Sequence, residues 1–265
     1  MSAGLAITIR IVAATAVFAV MALWERRAPR RALGFDRRRR WPGNLGIWLI
    51  DAAAVRLLGP VSVVGAALLA SEKGWGLFPL ARLPYWVAVV FGVIALDLTI
   101  YLQHVVFHHV PWLWRLHRMH HADLDIDVTT GVRFHPVEIV LSILIKIVAV
   151  LALGVPALGV VVFEVLLNAT SMFNHSNVAL PPWLEPTVRW IVVTPQMHQV
   201  HHSIERAETD SNFGFNLPWW DRLFGTYRGE PQAGEQDMIV GLSIFRDVTE
   251  SKVSRLLTQP FRKES

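Results

Sequence analysis

The sequence predicts an all-α integral membrane helical bundle carrying a histidine-rich cap on one side. Three observations predict it. Hydrophobic residues make up 53% of the 265 residues and fall in long runs rather than at amphipathic spacing, which points to a bilayer. Mean hydropathy is +0.39, well above the balance of a soluble domain. Against that apolar background, all eleven histidines lie between His104 and His202, in recurring groups at helical spacing.

The first apolar stretch, residues 5–24, can span as a helix, since about 20 residues cover a ~30 Å hydrocarbon core. It is too long for the core of a signal peptide, lacks a basic start and ends in Trp24-Glu25-Arg26-Arg27, so an uncleaved helix is expected. Eight arginines follow within residues 26–40, namely Arg26, Arg27, Arg30, Arg31 and Arg37 to Arg40. Beside a spanning helix such a run marks the cytoplasmic face, where it also meets anionic lipid. Nucleic acid is not expected as a partner, because the net charge of +4 comes mainly from arginine and is concentrated. A second span is expected over 46–70 and a third over 85–107, entered through Pro84-Tyr85-Trp86. Residues 137–153 and 155–173 form two short runs around Gly154-Val155-Pro156, read as a tight hairpin. Lys146 and Glu164 stand equally far from that turn, so they are expected to pair or to face the bundle interior. About five spans result, two of them in that short hairpin, within one domain over 1–265. An odd count places every histidine group on the arginine side. Residues 108–135 and 175–228 then form the cap, a cytoplasmic metal-binding one in this reading.

The chemistry resides in the histidines. His104 and His108 share one helical face, and Pro111 separates them from His117, His120 and His121 at i, i+3 and i+4. The same triplet returns at His198, His201 and His202, where Thr194-Pro195 reads as a helix N-cap with proline at the first position. Eight neutral imidazoles at ligand spacing suffice for two metal ions. His175, directly after a span, is a ninth candidate at the same depth. His135 is either a ligand or an organiser of the following helix, and His109 is turned away from His108 by about 100°. Imidazole alone suits zinc, copper, iron and nickel alike. The absence of cysteine excludes thiolate zinc and iron–sulfur sites. Asp123, Asp127, Glu138, Asp210 and Asp221 are candidate partners for the outer ring nitrogens, with Asp210 and Asp221 foremost because they adjoin the last triplet.

The order HxxxH, HxxHH, HxxHH, with Arg133-Phe134-His135-Pro136 between and Trp220-Asp221-Arg222-Leu223-Phe224-Gly225-Thr226 after, resembles the fatty acid hydroxylase/sterol desaturase superfamily. The resemblance covers about residues 95–228. It implies an integral membrane oxidase, a lipid hydroxylase or desaturase, with a histidine-bound pair of metals. That pair is expected to be iron, zinc being able to replace it on isolation. O2 is the implied co-substrate, and a separate ferredoxin- or cytochrome b5-type protein the electron donor. It carries ligand roles to the eight motif histidines and, by position, to His175. A bacterial inner membrane is the expected location. The rival reading is a membrane metal-ion transporter or a non-catalytic metal-binding protein; transport sites lie near mid-membrane, whereas these histidines cluster at span ends.

Overall fold

A computed structural model describes residues 3–57 and 62–263. Among them four helices are long and apolar enough to cross a membrane. These are α1 (Ala3–Arg27), α5 (Tyr85–His109), α7 (Pro136–Leu153) and α8 (Ala157–Asn174). The other long segments are α2 (Arg37–Leu57) and α3 (Val63–Lys73), followed by the single turn α4 (Leu77–Leu80). The cap is built from short helices: α6 (Pro111–His121), α9 (Glu185–Val188), α10 (Pro195–His201), α11 (Arg206–Thr209), α12 (Trp219–Phe224) and α13 (Val253–Thr258).

The second expected span does not form one helix over 46–70. Its apolar run is divided between α2 and α3, with residues 58–61 outside the described part. Ser62, the first described residue after them, is extended (φ −130°, ψ 155°), so the helix is interrupted there. Ser62 restarts it, its hydroxyl accepting from Gly65 N at 3.0 Å as the N-cap of α3. The arginine run also differs from a solvated stripe, because Arg37 to Arg40 form the first turn of α2 and Arg40 is completely buried.

The apolar helices bury one face and leave the other to lipid. α1 packs on α8 yet exposes Leu5, Ile11, Val12, Val20 and Leu23. In water such a stripe would be a liability, whereas in hydrocarbon it costs nothing. α5, 25 residues long, starts with exposed Tyr85 and Trp86 and is followed by exposed Trp112, the aromatic bracketing of an interfacial boundary. Pro111 sits at the first position of α6 and makes the expected break.

Gly154 closes α7 in a left-handed conformation (φ 71°), and a Cβ there would lie 2.5 Å from the Trp75 carbonyl oxygen. Both arms of this hairpin, α7 and α8, pack on α3 and α5. Lys146 and Glu164 are both buried (9% and 3% exposed), as one branch of the expectation required. They do not form the expected ion pair. Glu164 Oε2 instead meets Arg10 Nη1 of α1 at 3.2 Å.

The cap segment 117–133, polar in sequence, is buried almost throughout. Arg40 explains how. Its Nε and Nη2 reach the two Asp123 oxygens and its Nη1 reaches Asp127 Oδ2, all at 2.8 Å. Nη2 also donates to the Asp125 carbonyl at 2.6 Å. Arg133 Nη1 lies 3.2 Å from Asp123 Oδ1, and Asn44 Nδ2 donates to Asp123 at 3.0 Å. Burial alone would raise the Asp123 carboxyl, but the Arg40 and Arg133 charges overcome it and hold the group below the usual carboxylate range. The alternating aspartates thus clamp the loop onto α2 and bring the arginine segment against the cap.

A second clasp closes over α6. Arg115 donates to the carbonyls of Pro260 and Arg262 at 2.7 and 3.1 Å, and Arg118 Nη2 to those of Gln259 and Arg262 at 2.7 and 2.6 Å. Residues 259–262 are thereby bound to the helix that carries the middle histidine group.

Candidate metal centre

Nine histidines from four elements converge in the cap. α5 ends with His104 and His108 one turn apart, and α6 presents His117, His120 and His121 on one face. His175 caps the C-terminus of α8. Thr194 caps α10 by accepting from Met197 N at 3.3 Å, with Pro195 at the first position, as the sequence indicated. That helix supplies His198 and His201, and His202 is its C-cap.

The rings sort into two contiguous groups. His104, His108, His117, His121 and His201 form one, and His120, His175, His198 and His202 the other; within each, one nitrogen per ring lies within 4.8 Å of all the rest. His121 and His202 stack across the boundary at 4.4 Å between centroids. All nine are buried. The two histidines left out are those the sequence set apart or left open. His109 is exposed and bonds Val105 O of its own helix. His135 is the N-cap of α7, its Nδ1 accepting from Val137 N at 3.3 Å while Nε2 faces the Leu257 carbonyl at 3.4 Å. The following Pro136 fixes the helix start there, so the ring serves the backbone and stays apart from both groups.

Outer hydrogen bonds fix most of the tautomers. Nδ1–H donates to Phe213 O from His104 (2.7 Å), to Arg133 O from His120 (2.9 Å), to Ser171 O from His175 (2.7 Å) and to Ser211 O from His201 (2.7 Å). His117 Nδ1 donates to Glu138 Oε1 at 2.7 Å, and His108 Nδ1 to Asp210 Oδ1 at 3.2 Å. Each leaves a bare Nε2 lone pair pointing inward. Two bare pairs then meet at 3.0 Å, His104 with His117 and His120 with His175. Lone pairs so close repel unless a cation lies between them, as a metal ion held by both rings would. Nε2 of His108, His121, His201 and His202 is buried with no hydrogen-bond partner. Buried polar atoms are rarely orphaned, so this donor set fits a pair of borderline transition-metal ions.

Sequence reasoning ranked the acids only partly in the structural order. Asp210 does reach His108. Glu138, placed lower, makes the shorter contact, with His117. Asp221 touches no histidine. It accepts from Phe213 N, Gly214 N and Thr226 Oγ1 at 2.7 to 2.9 Å, holding the loop whose Phe213 carbonyl anchors His104. Burial pushes its carboxyl up to about 6. The backbone acceptors at Phe213, Arg133, Ser171 and Ser211 have no side-chain signal and are invisible in a sequence.

Burial, above all, favours the neutral form of six of the cap imidazoles. It pushes His175 down to about 4, and holds His120, His121, His198, His201 and His202 well below 6.5. Between pH 6.5 and about 4 the unfolded chain therefore takes up protons that the folded chain refuses, and stability falls as pH falls through that window. His175 alone accounts for about 3 kcal/mol. The thermal midpoint of chelator-treated protein is expected to drop steadily from pH 7 to pH 4; a flat profile would contradict buried neutral rings.

Fold and site together define a histidine-rich membrane metalloprotein class, and comparison with known sequences narrows it. The sequence profile of the fatty acid hydroxylase family matches residues 89–226, just over half of the chain, and the chain belongs to that family. Ornithine lipid hydroxylase OlsE of Rhizobium tropici is 27% identical over 213 residues, covering 80% of this chain and 62% of that protein. Alkylglycerol monooxygenase of Xenopus tropicalis is 28% identical over 71% of this chain and 42% of its own. Cholesterol 25-hydroxylase of Rattus norvegicus is 25% identical over 55% and 48%. The chain thus spans less than two thirds of the length of these relatives. No solved structure matches it.

Proposed function

We propose that the protein is an O2-dependent membrane lipid oxidoreductase, a hydroxylase or desaturase. The observation that carries this reading is the double group of nine buried imidazoles at the ends of apolar helices. In it His104, His108, His117, His121 and His201 would hold one metal ion, and His120, His175, His198 and His202 the other. Iron is the proposed metal, and a histidine-held iron pair supplies the oxidising power that an unactivated C–H bond demands. Glu138 and Asp210 hold His117 and His108 in the metal-binding tautomer, and Asp221 does so for His104 through Phe213. Phe134, stacked 4.3 Å from His120, and Phe213 and Phe215 against His104 keep water from the rings. His135 plays a supporting part as the cap of α7.

Hydroxylation places one oxygen atom of O2 in a C–H bond and releases the other as water, consuming two electrons and two protons. The electrons come from a separate ferredoxin- or cytochrome b5-type donor. Names of relatives that act on ornithine lipid and alkylglycerol favour hydroxylation and a lipid substrate. The arginine run beside α1 supports a cytoplasmic site, and the bacterial relative supports an inner membrane. The test is lipid analysis of bacterial membranes with and without the protein under 18O2, together with elemental analysis. A lipid heavier by one labelled oxygen, or lighter by two hydrogens, and two metal ions per chain are expected. Unchanged lipids with one metal or fewer at full occupancy would refute the reading.

A further inference from the structure

Where α1 leaves its apolar stretch, an open cleft of 360 Å3 lies between the helix end, the following arginine segment and the loop after α8. Glu25, Arg26, Arg31, Leu33, Arg37 and Asn177 line it. Glu25 is spent on the fold: its Oε1 accepts from Val128 N and Asn177 N, both at 2.7 Å, and its Oε2 meets Arg37 Nη2 at 3.3 Å. Arg31 gives Nη2 to the Met238 carbonyl at 2.9 Å, and its backbone N–H donates to Asn177 Oδ1 at 3.1 Å. Two guanidinium donors remain over, Arg31 Nη1 and Arg37 Nε, each buried without a hydrogen-bond partner. Arg26 is exposed at the mouth.

Three guanidinium groups against one carboxylate leave the cleft with two positive charges, so it calls for an anion. Several guanidinium groups on one cleft suit a phosphate, which offers more acceptor oxygens than a carboxylate. Pro29, Ala32 and Leu33 supply an apolar wall beside the charges. The position, at the end of a membrane-crossing helix, is that of a lipid head group rather than of a free solute. We infer that this cleft binds the phosphodiester head group of an anionic membrane lipid in the arginine-side leaflet. Its far wall, Asn177, stands two residues beyond His175, so a lipid seated here lies beside the segment that carries that histidine. The site goes beyond the oxidase reading and does not depend on it, because the test reads lipid retention and not turnover.

Native mass spectrometry of the full chain in detergent, titrated with dioleoyl phosphatidylglycerol, is expected to show one lipid retained per chain. Dioleoyl phosphatidylcholine, whose choline the cleft repels, is retained more weakly, and glycerol 3-phosphate does not displace the lipid. Arg26→Gln, at a side chain with no hydrogen bond or ion pair among the described residues, is expected to weaken phosphatidylglycerol about fivefold, the usual effect of one basic residue at a membrane surface. Arg38→Gln/Arg39→Gln, exposed on the same run but outside the cleft, should leave it unchanged. Equal losses in both variants would mean diffuse attraction and overturn the site, as would equal retention of the two lipids. Displacement by glycerol 3-phosphate would overturn the lipid assignment in favour of a soluble phosphate.

Discussion

Arg40→Met is expected to destabilise the protein by about 3–5 kcal/mol, the usual consequence of removing one partner from a buried charge network. The guanidinium makes charged contacts with both Asp123 and Asp127, and all three side chains are fully buried. Without it, Arg133 alone faces two carboxylates and the cap carries an uncompensated negative charge. A loss of that size would lower the thermal midpoint by about 10 °C for a chain of this length. Arg40→Lys should rescue little, since one ammonium cannot replace a fork that engages Asp123 bidentately while also reaching Asp127. Arg40→Met combined with Asp127→Asn should be milder than the single change, because the stranded carboxylate is gone. A midpoint for Arg40→Met within a degree or two of the parent would show that the network is idle.

The second large effect concerns His175. His175→Ala leaves three rings in its group, removes the bare lone pair facing His120 and empties the end of α8. One metal ion per chain and all turnover are expected to be lost together. His135→Ala should behave differently, keeping both ions while losing about 1 kcal/mol through the missing N-cap. Glu138→Gln, which weakens the hold on His117, should keep the fold and lower activity or metal affinity about 10–100-fold. Elemental analysis beside an activity assay separates the three. Equal metal retention by His175→Ala and His135→Ala would reject His175 as a ligand.

Much of this was legible in the sequence, for physical reasons that also mark its limits. Spacing alone placed His104 with His108 and grouped the two triplets, because ligands on one helix must recur at i, i+3 or i+4. Pro111, Thr194-Pro195 and Gly154 announced their helix boundaries through chemistry that is local to the chain. The interruption of the second span at the extended Ser62 was concealed by the apolar run on both sides of it. Non-local pairings were not legible. Nothing in the local pattern says that Arg40 belongs with aspartates more than eighty residues away, or that Glu164 belongs with Arg10. An arginine run reads as a topology signal whether or not one of its members is drawn inside. Likewise, four of the six oxygens that orient the histidines are backbone carbonyls, whose positions only the fold determines.

The clasp over α6 bears on how the protein is made. Arg118 and the Gln259 carbonyl it holds are 141 residues apart in the chain. At about 5–20 residues per second, a ribosome completes residue 259 some 7–30 s after residue 118. Helices form in well under a millisecond, so α6 and its three histidines wait a long time for their final covering. The contacts of residues 259–262 with α6 are therefore among the last of the cap to form.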